Sequence, residues 1–143
     1  MSKKVFLDAN VLADIYNESR PYCQNSRKSI KYLLSQDSVE LFTSCDIITT
    51  IYYIYAKKDR LKALDYIIEI NEWCKIVEFG NFEVSKSCRL MKQNKKFTDL
   101  EDTIQYVMAK KVEANLILSN DKTFVSDGIV LMNTESFCEK MGV

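Results

Sequence analysis

The chain has 143 residues, of which 47% are hydrophobic and 28% charged, and its 20 basic and 20 acidic side chains give a formal net charge of zero. These values predict one domain over residues 1–143 with a hydrophobic core, and they argue against a basic footprint for nucleic acid over the whole chain. The chain has no His, and its 5 Cys residues include no Cys-x-x-Cys pair; this argues against a Cys/His zinc site and excludes Ser-His and Cys-His catalysis.

The first half of the chain predicts two strands and four helices. An apolar run that ends at Asp8 predicts a short buried strand, and Pro21 ends the helical region that follows. Ile47, Ile51 and Ile54 recur at helical spacing, which gives a later helix a core-facing side. The predicted elements are strands over residues 5–7 and 39–42, and helices over residues 10–16, from a cap at Ser26 to 34, from 43 or 44 to about 57, and over 61–68.

The second half predicts three strands and three helices. Thr98, with Glu101 three residues later, has the pattern of a capping box and predicts a helix start. The predicted elements are strands over residues 76–79, 116–118 and 129–132, and helices over residues 84–91, after 98, and over 134–141. Strands and helices alternate, which predicts an α/β protein with three α/β/α layers around a parallel sheet of about five strands.

Carboxylates follow two of the predicted strands. Asp8 ends the first strand, and Asp121 comes soon after the strand over residues 116–118. In a parallel sheet these strand ends share one edge, where ligands bind. Asp102 lies in the first turn of the helix before that strand, and we expect this turn at the opposite edge unless the preceding helical insertion brings it over. Clustered carboxylates need a cation, and Mg²⁺ or Mn²⁺ suits oxygen ligands and activates water for phosphodiester cleavage.

Each of these carboxylates also has a structural interpretation. Asp8 and Asp99 are suited to helix caps, Asp102 to the positive end of a helix dipole, and Asp121 to a turn. Of two other charged residues, we expect Asp14 to be solvated or partly buried, and we expect Arg20 to be a surface residue rather than an RNA contact.

Three segments together resemble the PIN-domain ribonuclease family. They are FLDANVL at residues 6–12, EDTIQY at residues 101–106 followed by Ala109, and LILSNDKTF at residues 116–124. The segments occur in the family's order, and the resemblance extends over nearly the whole chain. In size the chain is similar to the single-domain toxins of bacterial and archaeal toxin–antitoxin pairs.

The resemblance implies a site and a reaction. Asp8, Asp102 and Asp121 would be catalytic and bind Mg²⁺ or Mn²⁺, and Asp99 would be a fourth catalytic carboxylate. Asn10 and Ser119 would orient ligands or water. The chain would then be a metal-dependent endoribonuclease that cleaves RNA, with an antitoxin protein as partner.

One position departs from the family pattern. Many members carry Glu on the helix after the second strand, where this chain has Thr50. The Thr50 hydroxyl could hold a metal-bound water but supplies no charge. Asp46, one turn earlier, and Asp99 and Glu101 are candidate substitutes.

Two other hypotheses stay open, and Thr50 motivates the first of them. The first is a catalytically degenerate PIN-like domain that binds RNA or protein without cutting. The second is a phosphotransferase of the haloacid dehalogenase type, which would need an acid where Asn10 stands.

Tyr52, Tyr53 and Tyr55 suit a core or an interface, in a homodimer or an antitoxin groove. The 5 Cys residues are odd in number and widely spaced, which is typical of a reduced protein. We also see no signal peptide and no apolar run of membrane-spanning length, so we expect a cytoplasmic protein.

Overall fold

The computed structural model describes residues 2–143, which form a sheet of five strands with seven helices around it. In chain order the elements are β1 (Lys3–Leu7), α1 (Ala9–Asp14), α2 (Cys23–Leu34), β2 (Val39–Ser44), α3 (Cys45–Ala56), α4 (Arg60–Trp73), β3 (Lys75–Val77), α5 (Asn81–Gln93), α6 (Leu100–Lys111), β4 (Leu116–Leu118), β5 (Val130–Met132) and α7 (Thr134–Met141). The five predicted strands are confirmed, with bounds that differ by at most two residues. Within the described chain, no helix combines the length and the apolar character needed to cross a membrane.

The sheet is parallel throughout and has the strand order β3-β2-β1-β4-β5. Strand β1 lies at its centre, where Phe6 pairs with Phe42 of β2 on one side and with Ile117 of β4 on the other. The backbone N–H of Asp8 donates to the Leu118 carbonyl at 3.0 Å, so the pairing continues to the end of both strands. Residues that follow β1 and β4 therefore meet at the carboxyl edge.

Each face of the sheet carries its own hydrophobic core. Because side chains alternate along a strand, Val5 and Leu7 pack on one face with residues of α1, α2, α3, α4 and α7. Phe6 lies on the other face, where it packs with residues of α6 such as Met108, and with partly buried residues of α5. This arrangement confirms the predicted three-layer α/β/α fold.

Helix α6 begins at the carboxyl edge of the sheet, which we expected only if the helical insertion before it carried the chain there. The helix ends at Lys111, and the backbone N–H of Asn115 donates to the Lys4 carbonyl at 2.8 Å near the start of β1. A helix that ends at the amino edge must begin toward the carboxyl edge. Lys111 also contacts Glu83 in the first turn of α5, because the two helices pack as an antiparallel pair.

Two predicted helix caps were wrong. Helix α2 begins at Cys23, so Ser26 lies inside it and is buried. Helix α6 is capped by Asp99 rather than Thr98, since the Asp99 carboxylate accepts the backbone N–H of Asp102 at 2.9 Å. Both candidate caps of α6 stand side by side in the sequence, and an ionised carboxylate is the stronger acceptor for a helix N-terminus.

Candidate active site

An acidic pocket of about 320 Å³ lies at the carboxyl edge of the sheet. The carboxylates that line it are Asp8, Asp99, Glu101, Asp102 and Asp121. They come from the end of β1, the first turn of α6 with its cap, and the loop after β4. All four predicted catalytic carboxylates therefore border the same space.

Asp8 is the most completely buried of these acids, with 2% of its surface exposed. Its Oδ1 accepts the backbone N–H of Ala9 at 2.7 Å, so it caps α1 as well as lining the pocket. Its Oδ2 accepts hydrogen bonds from Asn10 Nδ2 at 2.7 Å and from Ser119 Oγ at 2.6 Å. The cap and the site are thus two uses of one carboxylate.

Asn10 and Ser119 connect Asp8 to the loop after β4. Asn10 Oδ1 accepts the backbone N–H of Asn120 at 2.9 Å, and Ser119 Oγ accepts that of Asp121 at 3.1 Å. Both side chains also hold Asp8 Oδ2, so they fix the orientation of one carboxylate and the backbone that carries another. This is the geometry expected of groups that orient ligands.

The other two predicted metal ligands have oxygens that no other residue engages. Asp121 Oδ1 accepts from Thr123 N and Oγ1 at 2.9 and 2.7 Å, which forms the turn expected of this residue. Within residues 2–143, Asp121 Oδ2 and both carboxylate oxygens of Asp102 accept no hydrogen bond. These oxygens are available to a ligand in the pocket.

Burial and mutual repulsion raise the pKa values of the acids in the pocket. The pKa of Asp8 rises to about 6, mainly because burial disfavours its charge, although the hydrogen bond from Ser119 opposes the rise. The pKa of Asp102 rises to about 7, first through burial and then through the negative charges of Asp8, Asp99 and Asp121. Burial and the charge of Asp46 also raise the pKa of Glu101. A site with this excess of negative charge favours a cation.

Thr50 and Asp46 do not line the pocket. The Thr50 hydroxyl donates to the backbone carbonyl of Asp46 at 3.4 Å, and the Asp46 carboxylate accepts from the Ser44 hydroxyl. Glu101 does reach the pocket, where it lies one turn before another lining residue, Gln105. The acid that the family often has on α3 is therefore not supplied by Asp46 in this conformation.

A buried polar network behind the pocket was missed from the sequence. Asp14 is 3% exposed, and its carboxylate accepts from Arg20 Nε at 2.7 Å, Ser26 Oγ at 3.0 Å and Asn120 Nδ2 at 2.7 Å. Arg20 also lines the pocket and is its only basic residue within residues 2–143. Asp14, expected to be solvated or partly buried, is fully buried, because Asn120 and Ser26 bind it from other elements. Arg20, expected at the surface, is 32% exposed and paired with Asp14. The available signal was the position of Asp14 four residues after Asn10 on α1.

The donors of the pocket fit a hard divalent cation. They are carboxylate oxygens and the amides of Asn10 and Gln105, and the amide oxygen of Gln105 is buried without a hydrogen-bond partner in residues 2–143. No three Asp, Glu or Cys side chains within those residues are already arranged to hold a metal ion. Metal binding by this site would therefore require its side chains to rearrange, and the free oxygens of Asp102 are available for this.

Comparison with known proteins gives consistent results. The PIN domain family matches residues 5–126 of the chain. The chain is 48% identical over 139 residues to Ribonuclease VapC1 of Aquifex aeolicus (strain VF5), covering 97% of this chain and 96% of that protein. It superposes on Mycobacterium tuberculosis VapC20, a sarcin-ricin loop cleaving toxin, with a TM-score of 0.71 at 12% identity, over 88% of this chain and 96% of the other. A toxin–antitoxin complex from Klebsiella pneumoniae gives a TM-score of 0.67 at 12% identity, over 91% and 97% of the two chains.

Proposed function

The chain belongs to the PIN-domain family, and we propose that it is a metal-dependent endoribonuclease that cleaves phosphodiester bonds in single-stranded RNA. The observation that carries the proposal is the acidic pocket, in which the buried Asp8 shares one space with Asp102 and Asp121. The name of the Aquifex aeolicus relative, which is similar over nearly the full length, supports the same activity.

Asp8, Asp102 and Asp121 would hold Mg²⁺ or Mn²⁺, the ions that suit oxygen ligands. A bound divalent ion supplies an activated water and stabilises negative charge on the phosphate. The residues of the chain set up this chemistry. Ser119 and Asn10 hold Asp8 Oδ2 in place, and Thr123 fixes Asp121 Oδ1 so that its other oxygen remains available. Asp99 contributes negative charge from the cap of α6.

Cleavage of a labelled single-stranded RNA tests the proposal. We expect the wild-type protein to cut in Mn²⁺ or Mg²⁺ and to stop in EDTA, and we expect Asp8→Asn to lose at least about a hundredfold in rate. Asp37→Asn is the matched control, since Asp37 is an exposed acid outside the pocket. Equal cleavage by the wild type and Asp8→Asn would exclude this catalytic site.

The rival function is a degenerate PIN-like domain that binds RNA or protein without cutting. It is favoured by Thr50, which replaces an acid and donates to the Asp46 carbonyl on its own helix. A Mn²⁺ titration separates the two functions. Binding that is lost in Asp102→Asn supports the nuclease, whereas no binding at millimolar Mn²⁺ supports the degenerate domain.

We also propose an antitoxin as partner, a homodimeric state and a cytoplasmic location, where the RNA substrate lies. An apolar stripe of α4 supports a docked partner, because Leu61, Leu64 and Ile68 are 65%, 41% and 59% exposed at helical spacing. The Klebsiella pneumoniae structure of the same fold is a toxin–antitoxin complex. Co-purification with the product of a small adjacent reading frame tests this, and Ile68→Glu should weaken the complex.

A further inference from the structure

Gln105 is a buried polar residue of the acidic pocket whose amide oxygen has no hydrogen-bond partner within the described chain. Only 1% of its surface is exposed, and it lines the pocket from the second turn of α6. Its Oε1 is the one buried side-chain oxygen or nitrogen in residues 2–143 that lacks a hydrogen-bond partner. Buried amide oxygens are nearly always paired, so an unpaired one requires a physical reason.

The pocket that Gln105 lines is rich in acceptors, since five of its side chains are carboxylates and one is basic. It lies three residues after Asp102 and four after Glu101, on the same face of α6. Arg20 is the one basic residue of the pocket within the described chain, and its Nε is engaged by Asp14 at 2.7 Å. A carbonyl oxygen among carboxylates is satisfied by the same agent that neutralises them, which is a cation or a water bound to it.

We propose that Gln105 belongs to the divalent-cation site, where its amide oxygen would bind the ion directly or through a bound water. The inference rests on the proposed metal-dependent function. Helix α6 would then contribute two residues to the site, Asp102 and Gln105. Helix α3 contributes none at Thr50, because the Thr50 hydroxyl donates to a carbonyl of its own helix. An uncharged oxygen at this place adds a ligand without adding to the repulsion among the acids.

Mn²⁺ binding by the full chain, measured by calorimetry and by electron paramagnetic resonance, tests this role. Gln105→Met keeps the volume and removes the amide, and we expect about tenfold weaker Mn²⁺ binding. In EDTA the same variant should unfold at an equal or higher temperature, because no unpaired polar group is buried. Gln24→Met is the control, since Gln24 is an exposed glutamine on α2, and its Mn²⁺ affinity should not change.

A second variant keeps the test decisive if Gln105→Met fails to fold. Gln105→Glu should unfold at a lower temperature than the wild type in EDTA, because it buries another charge among acids. Added Mn²⁺ should then raise its unfolding temperature by more than it raises that of the wild type. Mn²⁺ affinity within about twofold of wild type in Gln105→Met, or no extra stabilisation of Gln105→Glu by Mn²⁺, overturns the inference.

The inference and the proposed function fail separately. If RNA is cleaved in Mn²⁺ but Gln105→Met binds Mn²⁺ as tightly as wild type, the nuclease stands and the role of Gln105 is rejected. If Mn²⁺ binding depends on Gln105 but no single-stranded RNA is cut, the metal site stands and the nuclease proposal is rejected.

Discussion

Ser119 Oγ donates a hydrogen bond of 2.6 Å to Asp8 Oδ2, which joins the carboxyl ends of the neighbouring strands β4 and β1. The same hydroxyl accepts the backbone N–H of Asp121 at 3.1 Å. One small side chain therefore sets the orientation of the first acid and the loop conformation at the third.

Ser119→Ala should weaken metal binding without unfolding the protein. The change removes a donor to Asp8 and an acceptor for the Asp121 backbone, so we expect at least about tenfold lower Mn²⁺ affinity and a similar loss of RNA cleavage. Calorimetric titration with Mn²⁺ measures the first and a labelled RNA the second. Ser136→Ala, at an exposed position on α7, is the control. Unchanged Mn²⁺ affinity in Ser119→Ala would mean that Asp8 is held well enough by Asn10 alone.

Substitutions of Asp99 separate its role as a cap from its role in the site. Its carboxylate accepts the Asp102 N–H at 2.9 Å, so Asp99→Ala should lower the free energy of unfolding by about 1 kcal/mol. Asp99→Asn keeps the cap and removes the charge, so it should unfold like the wild type in urea.

The charge of Asp99 should matter for metal binding. We expect Asp99→Asn to bind Mn²⁺ more weakly than the wild type, but to lose less affinity than Asp102→Asn, whose carboxylate oxygens are free of hydrogen bonds within residues 2–143. If Asp99→Asn binds Mn²⁺ as the wild type does, Asp99 is a cap alone.

Asp14 should contribute to stability rather than to chemistry. Asp14→Ala leaves Arg20, Ser26 and Asn120 without their shared acceptor, and we expect a loss of about 2 to 3 kcal/mol in the free energy of unfolding. Asp14→Asn should lose less, because its amide oxygen still accepts a hydrogen bond. Urea unfolding measures both, with Asp37→Ala as the exposed control. A loss below about 0.5 kcal/mol in Asp14→Ala would show that the network does not stabilise the fold.

The sheet and most of the pocket could be predicted from the sequence, because short local patterns determine them. Strand β4 is an apolar run between polar segments, and Asp121 follows it closely, so both the element and the edge can be predicted. The resemblance to the PIN family is confirmed by the match over residues 5–126. The direction of α6 could also have been predicted, because only a short connection joins Lys111 to the amino end of β4.

Other features depend on contacts that no local pattern encodes. The partners of Asp14 include Asn120, which lies 106 residues away, so its burial follows only from the assembled fold. Gln105 is three residues from Asp102 on one helix face, so the sequence could have placed it near the site. That its amide oxygen lacks a hydrogen-bond donor depends on how the pocket is packed. Thr98 and Asp99 are both residue types that cap helices, and the capping-box spacing of Thr98 with Glu101 favoured the one that the structure does not use.

Asp8 and Asp102 contribute to the free energy of unfolding of the metal-free protein in a pH-dependent way. We expect this contribution to fall as the pH rises from about 4 to about 8. The pKa of Asp8 rises from 3.8 to about 6 and that of Asp102 from 3.8 to about 7. The folded state therefore holds these protons more tightly than the unfolded chain does. Their contribution is fully present below pH 3.8 and is lost as the pH passes through the folded pKa values.

Unfolding temperatures in EDTA measure this dependence. Other carboxylates also titrate, so the quantity to follow is the difference between the wild type and the double variant Asp8→Asn/Asp102→Asn at each pH. We expect the double variant to gain stability relative to the wild type between pH 5 and 8, because it carries no charge to repel Asp99 and Asp121. Mn²⁺ should stabilise the wild type at pH 8 and leave the double variant unchanged. A difference in unfolding temperature that stays constant with pH in EDTA would contradict this prediction. It would show that Asp8 and Asp102 have the same pKa values in the folded and unfolded chains, so that repulsion in the pocket does not destabilise the fold.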